Sequence, residues 1–223
     1  MKALLTLFIS PILFCSTSVL ADFTYVTGNL QLHDGLLHGS SATSTLEAGH
    51  TFDNALGGLT VLTEFDAIQT GEIKTTEEGN SLASSPYITV GMEQHMNIND
   101  NFWVAVGYHH LLHDGNALQY RPLAKIGYNF DSGISISNRT RARIDATEAD
   151  NKTGYRLDNR VSYTGKESKF SFSYNNVFFT HSDTMDHELR VTWTRTGFQP
   201  YLEFRNQADD ANNAIVIGAS YGF

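Results

Sequence analysis

Ile134-Ser-Ile-Ser-Asn-Arg-Thr-Arg-Ala-Arg-Ile-Asp145 and Gly154-Tyr-Arg-Leu-Asp-Asn-Arg-Val-Ser-Tyr163 alternate less polar with more polar residues. This is the period of a β-strand, whose successive side chains point to opposite faces. In the first stretch Ile134, Ile136, Asn138, Thr140, Ala142 and Ile144 share one face. Ser135, Ser137, Arg139, Arg141, Arg143 and Asp145 share the other. In the second, Tyr155, Leu157, Val161 and Tyr163 oppose Arg156, Asp158, Arg160 and Ser162. A soluble sandwich would turn the polar face to water, whereas an outer-membrane barrel turns the apolar face to lipid and the polar face to its lumen.

The chain termini decide between these. Met1-Lys2, the largely apolar run Leu4 to Phe14 and the closing Val19-Leu20-Ala21 read as a secretory signal peptide of residues 1–21, cleaved before Asp22. The one cysteine, Cys15, falls inside it, so the exported domain, residues 22–223, has no disulfide. Phe14 before Cys15 argues against lipid attachment, which requires a small residue there. No later run reaches the roughly 18 apolar residues of a membrane helix. The end, Ile215-Val-Ile-Gly-Ala-Ser-Tyr-Gly-Phe223, puts Ile215, Ile217, Ala219, Tyr221 and Phe223 on one face. A final strand closing on Phe resembles the insertion signal of bacterial outer-membrane barrels.

Composition agrees. Eighteen glycines, four prolines, 12% aromatic residues and a mildly negative mean hydropathy fit hydrophobicity spread over alternate positions. The net charge of −9 excludes a nucleic-acid partner on electrostatic grounds. Period-two reading predicts twelve strands, near 23–32, 43–53, 57–68, 85–96, 101–111, 118–130, 133–145, 153–164, 168–179, 186–196, 198–206 and 213–223. The expectation is therefore an all-β, twelve-stranded antiparallel transmembrane barrel of the bacterial outer membrane. Alternate connections are short, at 54–56, 97–100, 131–132, 165–167 and 196–197, and read as periplasmic turns. The others, notably 69–84 with Glu72, Glu77 and Glu78, read as longer extracellular loops. Phe102, Tyr128, Phe130, Tyr163, Phe170, Trp193 and Phe198 crowd the short turns on the outward face, as an interfacial girdle should. The facing of the first two strands is left open by the pattern.

With faces assigned, Arg121, Arg139, Arg141, Arg143, Arg156, Arg160, Arg190 and Arg205 point inward together with Lys125, while Arg195 lies beside a turn. Alternate residues of a strand are about 6.5–7 Å apart, so Arg139, Arg141 and Arg143 make a ladder along the wall. Guanidinium groups match carboxylates bidentately and keep their charge. Successive rungs let an anionic chain exchange one contact for the next, binding strongly enough to enter and weakly enough to leave.

The chain resembles the oligogalacturonate-specific (KdgM-type) porins, a family that includes a sialic-acid channel. The resemblance rests on Arg121-Pro-Leu-Ala-Lys-Ile-Gly-Tyr-Asn-Phe130, the Arg139/Arg141/Arg143 strand, Gly154-Tyr-Arg-Leu-Asp-Asn-Arg160, Gln199-Pro-Tyr-Leu-Glu203 and the terminal Ser-Tyr-Gly-Phe223. It implies a monomeric twelve-stranded barrel carrying tracks of basic residues for acidic sugars. The nine basic residues above are the expected pore-lining, substrate-binding set. Passive diffusion of uronate-type oligosaccharides is the expected function, with outer-membrane lipid and lipopolysaccharide around the barrel and no cofactor, metal or catalytic residue.

Three other readings stand against this one. The ladder could be neutralised by Glu188, Glu203, Asp158, Asp145, Glu64 or Glu93, leaving a closed structural or adhesive barrel that works through its acidic loops. A barrel-embedded hydrolase of the phospholipase type would need an activated serine. No histidine precedes the short Ser-Asn-Gly type of segment, and the nucleophile would sit on a lipid face that here carries Ile, Phe and Tyr. His109, His110 and His113 suggest a metal site, but alternation splits His109 from His110, and loop-edge histidines near the headgroups are the expectation.

Overall fold

Alternation at period two forms a closed sheet because hydrocarbon leaves no water for unpaired backbone groups, so every strand needs neighbours on both sides. The computed structural model describes residues 22–223 except 149, 151, 166, 168 and 210, together with two short paired segments, Leu7–Phe8 and Leu13–Phe14. Apart from those four residues, the expected signal peptide, residues 1–21, lies outside the described residues. Twelve antiparallel strands form one closed barrel. They are β1 (Phe23–Leu37), β2 (Ser40–Asn54), β3 (Gly57–Gln69), β4 (Tyr87–Asn97), β5 (Phe102–His113) and β6 (Asn116–Asn129). β7 (Ile134–Asp145), β8 (Thr153–Thr164), β9 (Phe170–Phe179), β10 (Thr184–Trp193), β11 (Phe198–Gln207) and β12 (Asn212–Gly222) complete the sequence. Closure joins β12 to β1, where Thr24 and Phe223 each donate a backbone amide to the other's carbonyl at 3.0 Å.

The short turns fall where the sequence puts them, but the opposite end differs from expectation. β1 and β2 run on to meet at His38-Gly39, and β5 and β6 meet at Asp114-Gly115, so two of the expected longer loops are two-residue turns. All four turn residues have positive φ, between 49° and 76°, the conformation whose twist matches that of the flanking strands. At 15 residues each, β1 and β2 exceed the 9–11 that a tilted strand needs to cross hydrocarbon. These hairpins therefore project beyond the bilayer. The long 70–86 connection leans on the first of them: Ser41 donates its amide to Glu72, Lys74 to Gly39, and the Gln69 side chain to the carbonyls of His38 and Leu82.

Facing follows the alternation except at the register shifts of β1–β2, β2–β3 and β5–β6, and it settles the first two strands. In β1, Tyr25, Thr27 and Gln31 are buried while Leu30 and Leu32 are exposed; in β2, Thr43 and Thr51 are buried while Leu46 and Phe52 are exposed. Odd-numbered positions thus face inward in both. Outward, the girdle assembles as cross-strand pairs near the short turns, with Phe102 opposite Tyr128, Phe170 opposite Trp193 and Phe198 opposite Tyr221. Inward, four large rings lie on a glycine directly across from them: Tyr25 on Gly49, His109 on Gly91, Trp103 on Gly127 and Tyr201 on Gly218. A Cβ at Gly127 or Gly218 would fall within the ring it faces. These glycines let aromatic side chains lie flat along the wall and keep the lumen from being filled.

Candidate functional site

β6, β7 and β8 are consecutive in the sheet, and their inward positions carry the basic residues into register. Lys125 is opposite Arg139, Arg139 is opposite Asp158, and Arg141 is opposite Arg156. All nine basic residues expected in the lumen, Arg121, Lys125, Arg139, Arg141, Arg143, Arg156, Arg160, Arg190 and Arg205, line one cavity of about 590 Å³. That volume is within the usual range for sites that hold small ligands. Arg195 stays outside, its Nε donating to the Phe198 carbonyl at 2.6 Å and its guanidinium lying over Trp193.

Packing so many cations along neighbouring strands is repulsive unless carboxylates intervene. Asp158, 3% exposed, takes Nε of Arg139 at 2.9 Å on one oxygen and Nη2 of Arg156 at 2.8 Å on the other. Glu203, 1% exposed, does the same for Arg190 and Arg205. Glu93 accepts from Lys125 and lies 3.0 Å from Nε2 of His109. His109 is therefore a lumen residue, which corrects the expectation of a loop-edge histidine: alternation sends it inward and Gly91 opposite leaves its ring room. His113 does sit at the strand end, where its Nε2 is 3.1 Å from the Ser84 hydroxyl and its ring stacks on Tyr87.

Pairing is not complete. Arg121 and Arg143 donate Nε to the same amide oxygen, Oε1 of Gln119, at 2.8 and 3.2 Å, and neither has a carboxylate within ion-pair distance among the described residues. Arg141, 7% exposed, has neither a hydrogen bond nor an ion pair among them, and its Nε is buried without a partner. These three guanidiniums on β6 and β7 are the cations that the barrel's own carboxylates leave available. Aromatic faces support others: Arg190 lies 4.1 Å from the Tyr201 ring centre, and Arg143 and Arg156 lie 5.4 and 5.2 Å from that of Phe179.

Of the acids on β2 and β3 that line the same cavity, Glu64 was among those expected to face the ladder, whereas Glu47 on β2 and Asp66 on β3 were missed. Thr45 donates its hydroxyl to Asp66 at 2.7 Å, and none of the three carboxylates has a cation within ion-pair distance among the described residues. Glu47 was readable in principle, because Thr43, Thr45, Glu47, Gly49 and Thr51 form the polar half of an alternation whose other half holds Leu46 and Phe52.

A closed twelve-stranded barrel with a polar, charged lumen and an apolar, aromatic-banded exterior defines the class, a porin of the bacterial outer membrane. The chain belongs to the family described as oligogalacturonate-specific porin protein (KdgM), whose family model matches residues 18–223. A search of curated proteins found no match. Among solved structures it is similar to a KdgM porin (TM-score 0.64, 16% identity, 89% of this chain and 99% of that one). It is likewise similar to a KdgM porin in complex with disordered oligogalacturonate (TM-score 0.65, 16% identity, 89% and 99%). A third similar structure is the NanC porin (TM-score 0.61, 13% identity, 89% and 98%). At these identities the structures speak to the fold.

Proposed function

We propose that the protein is an anion-selective passive channel for acidic, uronate-type oligosaccharides. The observation that carries this reading is the trio Arg121, Arg141 and Arg143, which line the lumen without a carboxylate partner among the described residues. Family membership and the oligogalacturonate named with a similar porin support the same substrate class. The remaining basic residues, Lys125, Arg139, Arg156, Arg160, Arg190 and Arg205, extend the positive wall, and Asp158 and Glu203 hold four of them rigidly in place. A uronate carboxylate entering the lumen exchanges its hydration for the forks of Arg143, Arg141 and Arg121 in turn. Arg121 and Arg143 keep a neighbouring acceptor in Gln119, which makes those two contacts shallow enough to leave. The chain works as a monomer surrounded by lipid and lipopolysaccharide, after residues 1–21 have directed its export and been removed. It needs no cofactor and performs no chemistry.

The test is flux in proteoliposomes. Replacing Arg139, Arg141 and Arg143 together by Ser should slow galacturonate-oligomer uptake while leaving uptake of a neutral oligosaccharide of the same length in place. Equal acidic-sugar flux in the variant and the parent would overturn the proposal.

A further inference from the structure

Among the described residues, two sets of lumen charges have no ion-pair partner, and they come from separate pairs of strands. Arg121, Arg141 and Arg143 are on β6 and β7, while Glu47, Glu64 and Asp66 are on β2 and β3, with β4 and β5 between them in the sheet. Both sets line the same cavity. Arg141 is the decisive residue. It is more than nine-tenths buried, lines the cavity, and has a guanidinium Nε with no acceptor. A channel shaped only for polyanions gains nothing from three carboxylates facing its free arginines, since they repel the substrate they help to confine. The same arrangement fits a sugar that carries a carboxylate on one edge and a cation on the other.

We infer that the lumen prefers acidic amino sugars, units with a ring carboxylate directed to Arg121, Arg141 and Arg143 and a protonated amine directed to Glu47, Glu64 and Asp66. The inference rests on the channel reading above and narrows its substrate class. In a pyranose, a carboxylate on C5 and an amine on C2 lie at opposite edges of the ring, so one residue can meet both walls at once. Hydroxyls of an ordinary uronate satisfy the acidic wall only through neutral hydrogen bonds, which are weaker than charge-assisted ones.

The experiment measures current block of the purified full-length protein in a planar bilayer at about pH 6. Its probes are 2-amino-2-deoxyglucuronic acid, the N-acetyl form of the same sugar, and galacturonic acid. The free amine should block at a roughly fivefold lower concentration than the N-acetyl form, as one modest ion pair would give. In the E47Q/E64Q/D66N variant that preference should disappear while block by galacturonic acid strengthens. Equal block by the aminated and acetylated sugars, or a preference that survives in the variant, would overturn the inference. If galacturonic acid and the acetylated sugar block and the amine adds nothing, this inference fails alone. If no carboxylated sugar blocks at all, the channel reading fails with it.

Discussion

Asp158 and Glu203 each hold two arginines, and their replacement separates structure from transport. Asp158→Asn keeps shape but leaves Arg139 and Arg156 without their shared charge. The variant should lose roughly 1–3 kcal/mol of stability, the usual cost of depriving a buried charged donor of its partner, read by denaturant unfolding in detergent. Its reversal potential should shift toward greater anion preference, because two guanidiniums are released into the lumen. At this scale the sequence was informative about direction and about candidate partners, since Asp158, Glu203 and Glu93 were among the acids expected against the ladder, but it did not say which acid meets which base. Strand parity alone gave the inward position of all nine basic residues. Which of them keep a free charge depends on cross-strand register, and nothing local in Arg141 distinguishes it from Arg139 two residues earlier. The difference is that Asp158 lies opposite Arg139, whereas Arg156 lies opposite Arg141.

At the scale of elements, the inward glycines and the projecting hairpins make separate predictions. Gly127→Val forces a branched side chain into the Trp103 ring and should cost about 1–3 kcal/mol, as overpacking typically does. The measurement is the temperature at which the folded band is lost in semi-native electrophoresis. Unchanged thermal resistance would contradict the ring-on-glycine arrangement. Glu72, Glu77 and Glu78 lie exposed in the 70–86 connection beside the channel mouth. Replacing all three by Gln should raise anion conductance at about 0.03 M salt and have little effect near 1 M, where exposed charges are screened within a few ångströms. Element positions were readable because turns and alternation are local signals. The two-residue hairpins were missed even though Asp114-Gly115 is a recognised turn pair, because the alternation breaks at this end, where Leu36-Leu37 and Leu111-Leu112 are adjacent apolar residues and the strand pairs shift register.

At the scale of the whole molecule, the barrel follows from length, the terminal strand and strand count, all legible without a structure. The lumen does not follow in the same way. The sequence names acids that could oppose the inward arginines but not their arrangement: nine basic side chains share the cavity with Glu47, Glu64, Asp66, Glu93, Asp186 and Glu188. Closure of the sheet decides which acids face which bases, and residues of distant strands such as β3 and β7 line one cavity only once the barrel is complete. In the proposed channel, selectivity is set by the charges left without ion pairs among the described residues, Arg121, Arg141 and Arg143 against Glu47, Glu64 and Asp66, acting in a narrow low-dielectric space where each charge counts for more than in water. The most direct measurement is the reversal potential of the purified protein in a planar bilayer under a salt gradient, before and after oligogalacturonate is added. Anion selectivity with current block by the oligomer is the predicted result. Cation selectivity, or the absence of conductance, would mean that the barrel's own carboxylates neutralise the arginines and would contradict the account.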